Sequence, residues 1–219
     1  IDYPDHLTTI IFTQGCNLTC PYCHNPALIP NESNNNQYLP LEQFWGFIDQ
    51  RKGFIDGVTI TGGEPALQSD LIEFIRKIKN LNLKVKLDTN GTKPTVIEKL
   101  LEDDLIDYIA QDVKFPLAKY SSISSKDFST EIKETIKLIK QSNLDYEFRT
   151  TVVPGLHTTE DIEKISKLIT NAEQYYIQNF QPSNTLDPEL ENKQGFPPAK
   201  LQEFKKIAAD YVQKVEIRN

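Results

Sequence analysis

The 219-residue sequence lacks several features that define whole classes of protein. It has no methionine and only three cysteines, and no stretch approaches the roughly 20 apolar residues that a membrane-spanning helix needs. The odd cysteine count excludes a complete set of disulfides, and free thiols without a secretory signal predict a cytoplasmic protein. Because the chain starts at Ile1 without an initiator methionine, we expect a short N-terminal piece to be missing.

The sequence also lacks an excess of basic residues. It has 24 lysines and arginines against 31 aspartates and glutamates, which gives a formal net charge of −7. No basic stripe could neutralise phosphates, so a nucleic-acid or anionic-membrane partner is not expected. Hydrophobic residues make up 38% and charged residues 25% of the chain, a globular composition that predicts one domain over residues 1–219.

Segments with strand and helix periodicity alternate along the chain. Strands are predicted at 7–12, 57–61, 83–88, 105–113, 146–152 and 174–180. Helices are predicted at 39–52, 69–79, 94–101, 129–140, 158–170 and 198–212. Strands separated by helices of about ten residues indicate βαβ units and a parallel sheet. The predicted fold is therefore α/β, a partial (β/α)6 TIM-like barrel, with long loops at 30–38, 116–128 and 182–198.

All three cysteines lie in one short loop after the first predicted strand. The order Cys16-x3-Cys20-x2-Cys23 places three thiolates within eight positions. Iron–sulfur clusters are normally held by four thiolates, so three indicate a cluster with one iron left for another ligand. A zinc site made of the cysteines and His24 is the alternative, although zinc knuckles usually take ligands from two separate segments. The crowding of the ligands favours the cluster.

Several predicted strands carry charged residues on one face. Alternate residues of a strand share a face, and the face of a barrel strand toward the helices is apolar. The residues then predicted to face the lumen are Lys84, Lys86, Asp88, Tyr108, Ala110, Asp112, Lys114, Glu147, Arg149, Thr151 and Gln178. Barrel lumens usually contain branched apolar side chains, and buried charges require partners or ligands. A zwitterionic cofactor would supply both signs, and a solvated strand face is the alternative.

Two motifs follow strands at the predicted C-terminal end of the barrel, where barrel active sites lie. The run Thr-Gly-Gly-Glu-Pro at 61–65 offers a backbone that a ligand can approach closely and a carboxylate that can accept hydrogen bonds from an ammonium group. The run Asp-Thr-Asn-Gly at 88–91 follows the next strand. Each run on its own could be only a turn.

Together these motifs resemble the radical S-adenosylmethionine (radical SAM) superfamily. The Cys-His-Asn at 23–25 is similar to the activating enzymes of glycyl-radical enzymes. The phrases Leu-Asp-Thr-Asn-Gly, Asp-Val-Lys-Phe-Pro-Leu, Arg-Thr-Thr-Val-Val-Pro-Gly-Leu-His and Tyr-Tyr-Ile-Gln-Asn-Phe most resemble activating proteins of anaerobic ribonucleoside-triphosphate reductase. The resemblance covers nearly the whole chain and implies a partial barrel of the radical SAM type. The chain has no cysteines for the additional cluster domain that some glycyl-radical activases carry.

The resemblance implies a [4Fe–4S] cluster on Cys16, Cys20 and Cys23, with S-adenosylmethionine bound at its free iron. It also implies a set of cofactor-binding residues, namely Tyr22, Gly62, Gly63, Glu64, Asp88, Thr89, Asn90, Asp112, Lys114 and Arg149. Within this set Glu64 would bind the methionyl amine, Arg149 would lie near the cofactor carboxylate, and Tyr22 near the adenine. In pyruvate formate-lyase activase-like proteins, the residues that match Asp88, Thr89 and Asp112 also hold a monovalent cation.

The resemblance further implies that reductive cleavage of S-adenosylmethionine generates a glycyl radical on a partner enzyme. Anaerobic ribonucleoside-triphosphate reductase is the expected partner, with a flavodoxin or ferredoxin as electron donor. Activation of pyruvate formate-lyase, or a small-molecule radical SAM reaction of the deazaguanine-synthase type, is the enzymatic alternative. A Cys3His zinc-binding module is the non-enzymatic alternative, and a barrel enzyme without metal would leave the cysteine loop unexplained.

Two histidines have no assigned role in this scheme. His24, beside the last cysteine, is expected either to hydrogen-bond near the cluster or to satisfy a local group. His157 lies at a strand–helix junction, where capping or solvent exposure is expected. The sequence offers no Ser/His/Asp or Cys/His arrangement for nucleophilic catalysis.

Overall fold

Seven strands and six helices alternate along the chain in the computed structural model, which describes residues 3–30 and 38–218. The strands are β1 Thr8–Thr13, β2 Gly57–Gly62, β3 Lys84–Thr89, β4 Tyr108–Asp112, β5 Asp145–Val152, β6 Gln174–Asn179 and β7 Lys214–Arg218. The helices are α1 Leu41–Gln50, α2 Leu71–Lys79, α3 Pro94–Glu102, α4 Ser129–Gln141, α5 Thr159–Leu168 and α6 Pro198–Ala209.

The strands form one parallel sheet in which their spatial order equals their order along the chain, from β1 to β7. Each pair of neighbouring strands is joined by a helical crossover, as parallel pairing requires. The register places Ile60 of β2 beside Leu87 of β3, and Leu87 beside Ile109 of β4. All the C-terminal strand ends therefore meet at one edge of the sheet, and the predicted partial (β/α) barrel is confirmed.

The two faces of the sheet differ as the strand alternation predicts. Val85 and Leu87 of β3 are fully buried on the face that is covered by the helices. On the lumen face, Lys86 and Glu147 are each only 1% exposed. The alternative of a solvated polar face is therefore wrong, since these charged side chains are buried inside the molecule.

The helices are amphipathic and lie on the outer face of the sheet. In α2 the buried residues Leu71, Ile75 and Ile78 recur at helical spacing, so one stripe of the helix faces the strands. Helix α5 begins with a capping box: the side chain of Thr158 accepts a hydrogen bond from the amide of Asp161, and the Asp161 carboxylate accepts one from the amide of Thr158.

Among the seven strands of the described residues, only β7 was not predicted from the sequence. The last predicted helix ran to residue 212, whereas α6 ends at Ala209 and the chain then forms β7 beside β6. The five residues of β7 alternate between Val215 and Ile217 on one face and charged side chains on the other. That period is a strand signal, but it spans too few residues to separate from a fraying helix end.

The long loops predicted at 116–128 and 182–198 contain short 3-10 helices at Leu117–Ser122 and Pro188–Asn192. Most of the loop predicted at 30–38, from 31 to 37, lies outside the described residues. Within the described part of the chain, no helix is long and apolar enough to span a membrane.

Candidate functional site

The loop that follows β1 carries the three cysteines and is closed by backbone hydrogen bonds. Gly15 has a φ of +94°, a conformation that glycine adopts readily, and the chain turns out of β1 at this point. The amide of Gly15 donates to the carbonyl of Leu28 at 2.8 Å. The amide of Cys23 donates to the carbonyl of Cys20 at 3.0 Å, which closes the turn between them. The loop therefore holds the three cysteines within one small lobe.

The three thiols line one cavity at the C-terminal ends of the strands. Cys20 is 6% exposed, and Cys16 and Cys23 are half-buried. The cavity has a volume of about 200 Å³, and its wall also includes Gly62, Gly63, Asp88, Thr89, Asn90, Asp112 and Lys114. Burial raises the pKa of Cys20 to about 12 and also raises the pKa of Cys16, so these thiols stay protonated until a metal centre replaces the proton.

Gly62 and Gly63 allow the end of β2 to lie directly against the cysteine loop. A Cβ on Gly63 would lie 2.1 Å from the carbonyl oxygen of Gly15, and one on Gly62 would lie 2.3 Å from the amide nitrogen of Thr13. The amides of Gly63 and Glu64 donate to the carbonyls of Thr13 and Gly15 at 2.9 and 2.8 Å. Besides lining the cavity, the two glycines therefore fix the position of the cysteine loop.

Glu64 is fully buried and connects β2 to β3. Its Oε1 accepts hydrogen bonds from the amide of Ala66 at 3.1 Å and the hydroxyl of Thr89 at 2.8 Å, and its Oε2 accepts one from the amide of Asn90 at 2.6 Å. Burial outweighs these hydrogen bonds and raises the pKa of Glu64 to about 7. Because three donors already hold this carboxylate, Glu64 orients the part of the cavity wall formed by Thr89 and Asn90.

Asn90 connects the end of β3 to the cysteine loop. Its side-chain nitrogen donates to Oδ1 of Asn17 at 2.9 Å and lies 4.0 Å from Sγ of Cys16. Its Oδ1 accepts from the hydroxyl of Thr92 at 2.7 Å, and Nδ2 of Asn17 donates to that same hydroxyl at 2.8 Å. Asn17 and Thr92 were not predicted as site residues, because polar residues in loops carry no periodic signal.

The aspartates of β3 and β4 belong to a network of ion pairs in the lumen. Lys86 Nζ lies 2.5 Å from Oδ1 of Asp88, and Lys114 Nζ lies 3.1 Å from Oδ2 of Asp112. The guanidinium of Arg149 lies between the two carboxylates, 3.3 Å from Asp88 and 2.8 Å from Asp112. Burial disfavours the charged form of Asp112, but the charges of Arg149 and Lys114 outweigh it and hold the pKa of Asp112 well below its usual range. Asp112 is therefore ionised at neutral pH.

The network continues downward to Glu147 on β5. Arg149 Nη1 lies 3.7 Å from Oε1 of Glu147. Arg218 of β7 donates to both oxygens of Glu147 at 2.8 Å, and the hydroxyl of Tyr108 donates to Oε2 at 3.0 Å. Buried charges are tolerated when they are paired and hydrogen-bonded, and this carboxylate meets that requirement. Arg218 was missed together with β7.

Tyr22 lines the cavity beside Cys23. Its ring packs edge-on against Phe115 and His157, with ring centroids 6.0 Å apart in both cases. Its hydroxyl is buried, and among residues 3–30 and 38–218 it has no hydrogen-bond partner. Buried polar groups are nearly always hydrogen-bonded, so this hydroxyl is an exception within the described part of the chain.

His157 is a buried bridge, and the expectation of capping or solvent exposure is wrong. It is 3% exposed and stacks on Phe115 with ring centroids 4.5 Å apart. Its Nδ1 accepts a hydrogen bond from the amide of Val153 at 3.1 Å, which assigns the proton to Nε2, 2.8 Å from the carbonyl of Lys114. His157 thus fixes the backbone of Lys114. The burial of the imidazole lowers the pKa of His157.

His24 contacts the long loop that follows β6. Its Nε2 lies 2.9 Å from the carbonyl oxygen of Gln181, and its ring stacks on Phe180 at 5.9 Å. The side chain of Asn184 donates to the carbonyl of His24 at 3.1 Å. The other long loop contributes the carbonyl of Ile123, to which the amide of Thr19 donates at 2.8 Å. The long loop at 116–128 and the one that follows β6 therefore both contact the cysteine loop.

The donor set fits an iron–sulfur cluster better than a single zinc ion. Sulfur ligands of one tetrahedral zinc, each about 2.3 Å from the metal, lie about 3.8 Å apart. In the described part of the chain, no three His, Cys, Asp or Glu residues are grouped closely enough to hold one metal ion. The three thiols around one cavity match the thiolate ligands of a multi-iron centre with one ligand left open.

The structure brings nearly all of the predicted site residues together. The three cysteines, Tyr22 and seven of the remaining predicted residues line the cavity, while Glu64 and Arg149 lie behind its wall. The roles that the resemblance gives to single residues, such as amine binding by Glu64, stay predictions.

Known proteins resemble this chain in sequence. The model of the Radical SAM superfamily matches residues 10–169. A relative from Methanocaldococcus jannaschii, named "Putative glycyl-radical enzyme activating enzyme", is 39% identical over 100% of this chain and 91% of its own length. A pyruvate formate-lyase-activating enzyme from Clostridium pasteurianum is 28% identical over 82% of this chain and 76% of its own length.

A solved structure of Streptococcus suis SuiB bound to S-adenosylmethionine has a similar fold. The TM-score is 0.73 at 16% identity, and the likeness covers 100% of this chain. The chain spans about half of that protein, 51% of its length. At this identity the likeness concerns the fold alone.

Proposed function

The chain belongs to the radical SAM superfamily, and on this premise we propose that it activates a glycyl-radical enzyme, with anaerobic ribonucleoside-triphosphate reductase as its partner. Members of this family are enzymes that use a [4Fe–4S] cluster and S-adenosylmethionine. The observation that carries the proposal is the convergence of three thiols and an ion-paired lumen on one cavity.

Each wall of the cavity has a part in this proposal. Cys16, Cys20 and Cys23 would hold the cluster and leave one iron open toward the cavity. When bound, the cluster and S-adenosylmethionine supply the electron and the hydrogen-abstracting chemistry. The protein's own residues bind and orient the cofactor and exclude water from it.

Lys114 is suited to bind the carboxylate of the methionyl end. Its ammonium group has three N–H donors, and the contact with Asp112 uses one of them. Gly62 and Gly63 leave the neighbouring backbone open to the methionyl amine. We assign Tyr22, which lines the same cavity, to the adenine end, as the resemblance implies.

A protein substrate is favoured over a small metabolite. The sheet ends at β1 on one side and at β7 on the other, so the partial barrel leaves a lateral opening through which an extended glycine-bearing loop can enter. A relative named as a glycyl-radical enzyme activating enzyme matches the whole chain at 39% identity, which supports the same class of substrate.

The test is to observe the glycyl radical directly. Reconstituted and reduced protein is mixed anaerobically with S-adenosylmethionine and either anaerobic ribonucleotide reductase or pyruvate formate-lyase, and electron paramagnetic resonance is recorded. We expect a glycyl doublet on the reductase, with one equivalent of 5′-deoxyadenosine formed per radical. Flavodoxin and ferredoxin, compared as reductants in the same assay, test the proposed electron donors.

A doublet only on pyruvate formate-lyase would contradict the proposed partner but not the activase. Turnover of a small molecule with no protein radical would contradict the activase itself. The matched control is Cys20→Ala, which removes one cluster ligand and should abolish both the radical and 5′-deoxyadenosine.

A further inference from the structure

The carboxylates of Asp88 and Asp112 already have a positively charged donor on each of their four oxygens. In Asp88, Oδ1 accepts from Lys86 at 2.5 Å and Oδ2 from Arg149 at 3.3 Å. In Asp112, Oδ1 accepts from Arg149 at 2.8 Å and Oδ2 from Lys114 at 3.1 Å. The resemblance implies a monovalent cation at this pair of aspartates, but such an ion does not fit here. It would have to displace the lysine and arginine side chains or lie next to their positive charges.

Thr89, the third residue matched to such a cation site, is engaged as well. Its hydroxyl donates to Oε1 of Glu64 at 2.8 Å and accepts from the amide of Gly91 at 3.1 Å. One lone pair of the hydroxyl remains. The threonine therefore acts within the loop after β3, and its hydroxyl is oriented by its protein partners.

Arg149 is fixed between the two aspartates by a third carboxylate. Its side chain is 12% exposed, and its Nη1 also lies 3.7 Å from Glu147. A planar guanidinium presents five N–H donors in a rigid fork, so it can contact several carboxylates at once in fixed directions. The position of Arg149 is thus fixed by Glu147 below the cavity and by Asp88 and Asp112 in the cavity wall.

Lys86 is committed to Asp88 by the geometry of β3. The two residues are separated by one position, so their side chains lie on the same face of the strand. The Lys86 side chain is 2% exposed, and its Nζ lies 5.8 Å from the ring centroid of Tyr108. A lysine buried this deeply requires a partner, and Asp88 is the carboxylate that pairs with it.

We infer that Lys86 and Arg149 supply, from within the protein, the positive charge that faces the carboxylates of Asp88 and Asp112. In pyruvate formate-lyase activase-like proteins, a bound monovalent cation supplies that charge. The ion-paired network contains four cationic side chains against three carboxylates. A further cation would add to an existing positive excess, whereas the carboxylate of S-adenosylmethionine would neutralise it. Lys86 and Arg149 are positioning residues, since they act through Asp88 and Asp112.

The wild-type holoenzyme gives the first test, and it needs no variant. Thermal unfolding is measured anaerobically in potassium, sodium or tetramethylammonium chloride at equal ionic strength, since tetramethylammonium cannot coordinate to carboxylates. The inference predicts the same Tm in all three salts. A rise of about 3–6 °C specific to potassium or sodium, the shift expected from roughly tenfold saturation of a cation site, would overturn it.

The second test removes one built-in charge. Lys86→Met leaves an oxygen of Asp88 without its donor, so the variant should acquire a cation site and a potassium-specific rise in Tm of about 3–6 °C. Its Kd for S-adenosylmethionine, measured by equilibrium dialysis, should be about tenfold weaker in tetramethylammonium than in potassium. A variant that folds and shows no salt specificity in either measurement would contradict the role of Lys86.

The matched control is Lys84→Met, on the same face of β3 but exposed and in contact with His6 at the opposite end of the barrel. It loses the same charge and should show no potassium response. If Lys86→Met does not fold, the wild-type comparison still decides. Because Tm is recorded without S-adenosylmethionine or a partner enzyme, failure of the proposed function and failure of this inference are distinguishable.

Discussion

At the scale of single residues, the pKa values of two carboxylates at the site, one half-buried and one fully buried, move in opposite directions. Asp112 faces Arg149 and Lys114, whose charges outweigh its burial and lower its pKa. Glu64 accepts three hydrogen bonds from neutral donors, and its burial raises its pKa to about 7. Neutral donors compensate desolvation less than opposite charges do, which accounts for the difference.

Glu64 should therefore make the stability of the metal-free, reduced chain depend on pH. Its pKa in the folded state lies above the ordinary value of 4.5, so the folded chain binds this proton more tightly than the unfolded chain. The contribution is fully present below about pH 4.5 and is lost as pH rises to about 7, a change of about 3 kcal/mol in the free energy of unfolding. Glu64→Gln should remove this dependence, as measured by urea unfolding between pH 4.5 and 8.

Glu98→Gln on the exposed face of α3 loses the same charge and serves as the control. Relative to wild type, Glu64→Gln should gain stability as pH rises through this window, whereas the control should run parallel to wild type. Parallel profiles for wild type and Glu64→Gln would contradict the raised pKa.

At the scale of elements, the cysteine loop depends on the close approach of β2. Gly63 lies against the carbonyl oxygen of Gly15, and no side chain fits between them. From the sequence, the paired glycines were interpreted as a place where a ligand approaches the backbone. A sequence shows that glycines allow close approach, but it does not show which group makes that approach. Contacts from residues distant in the chain, here β1 against β2, cannot be predicted from local spacing.

Gly63→Ala should displace the cysteine loop while leaving the sheet intact. The added Cβ would lie 2.1 Å from backbone, so the loop must shift, and we expect a cost of about 1–3 kcal/mol in unfolding free energy. Iron and sulfide bound per chain after reconstitution should fall by more than half. Gly46→Ala in α1 meets nothing within 4 Å and should stabilise the protein by about 1 kcal/mol with full cluster content.

Wild-type iron and sulfide content in Gly63→Ala would show that the loop tolerates the added methyl group. In that case the close approach of β2 would not be what positions the cysteines.

At the scale of the whole molecule, the lumen charges connect strands that are not neighbours in the sheet. Arg218 of β7 passes over β6 to pair with Glu147 of β5. The polar lumen of the predicted strands could be read from alternation, since Lys86, Glu147 and Arg149 all fall on the predicted face. The ion-pair partners of those side chains could not be predicted from the sequence. A barrel lumen brings together side chains that are far apart in the chain, and their spacing in the sequence gives no sign of the contact.

Arg218→Met should destabilise the whole fold. It leaves Glu147, 1% exposed, with Tyr108 and the more distant Arg149 as its remaining contacts. Breaking a buried ion pair on one side costs about 3–5 kcal/mol, so the midpoint of urea unfolding should fall markedly. Lys214→Met, which removes an exposed pair with Glu216 on the same strand, should change the free energy by less than about 1 kcal/mol. Equal effects of the two substitutions would contradict the role of Arg218.

The two edge strands of the sheet, β1 and β7, differ in how readily they can pair with a strand of another molecule. The unpaired edge of a strand can template pairing between molecules, and charged side chains oppose this. β7 carries lysine, glutamate and arginine, whereas β1 is uncharged, and Leu7 and Phe12 at its ends are 63% and 53% exposed. Among the described residues β1 pairs only with β2. The β1 edge of the sheet is thus its weak point against self-association, and aggregation of concentrated or partly unfolded protein should begin at β1.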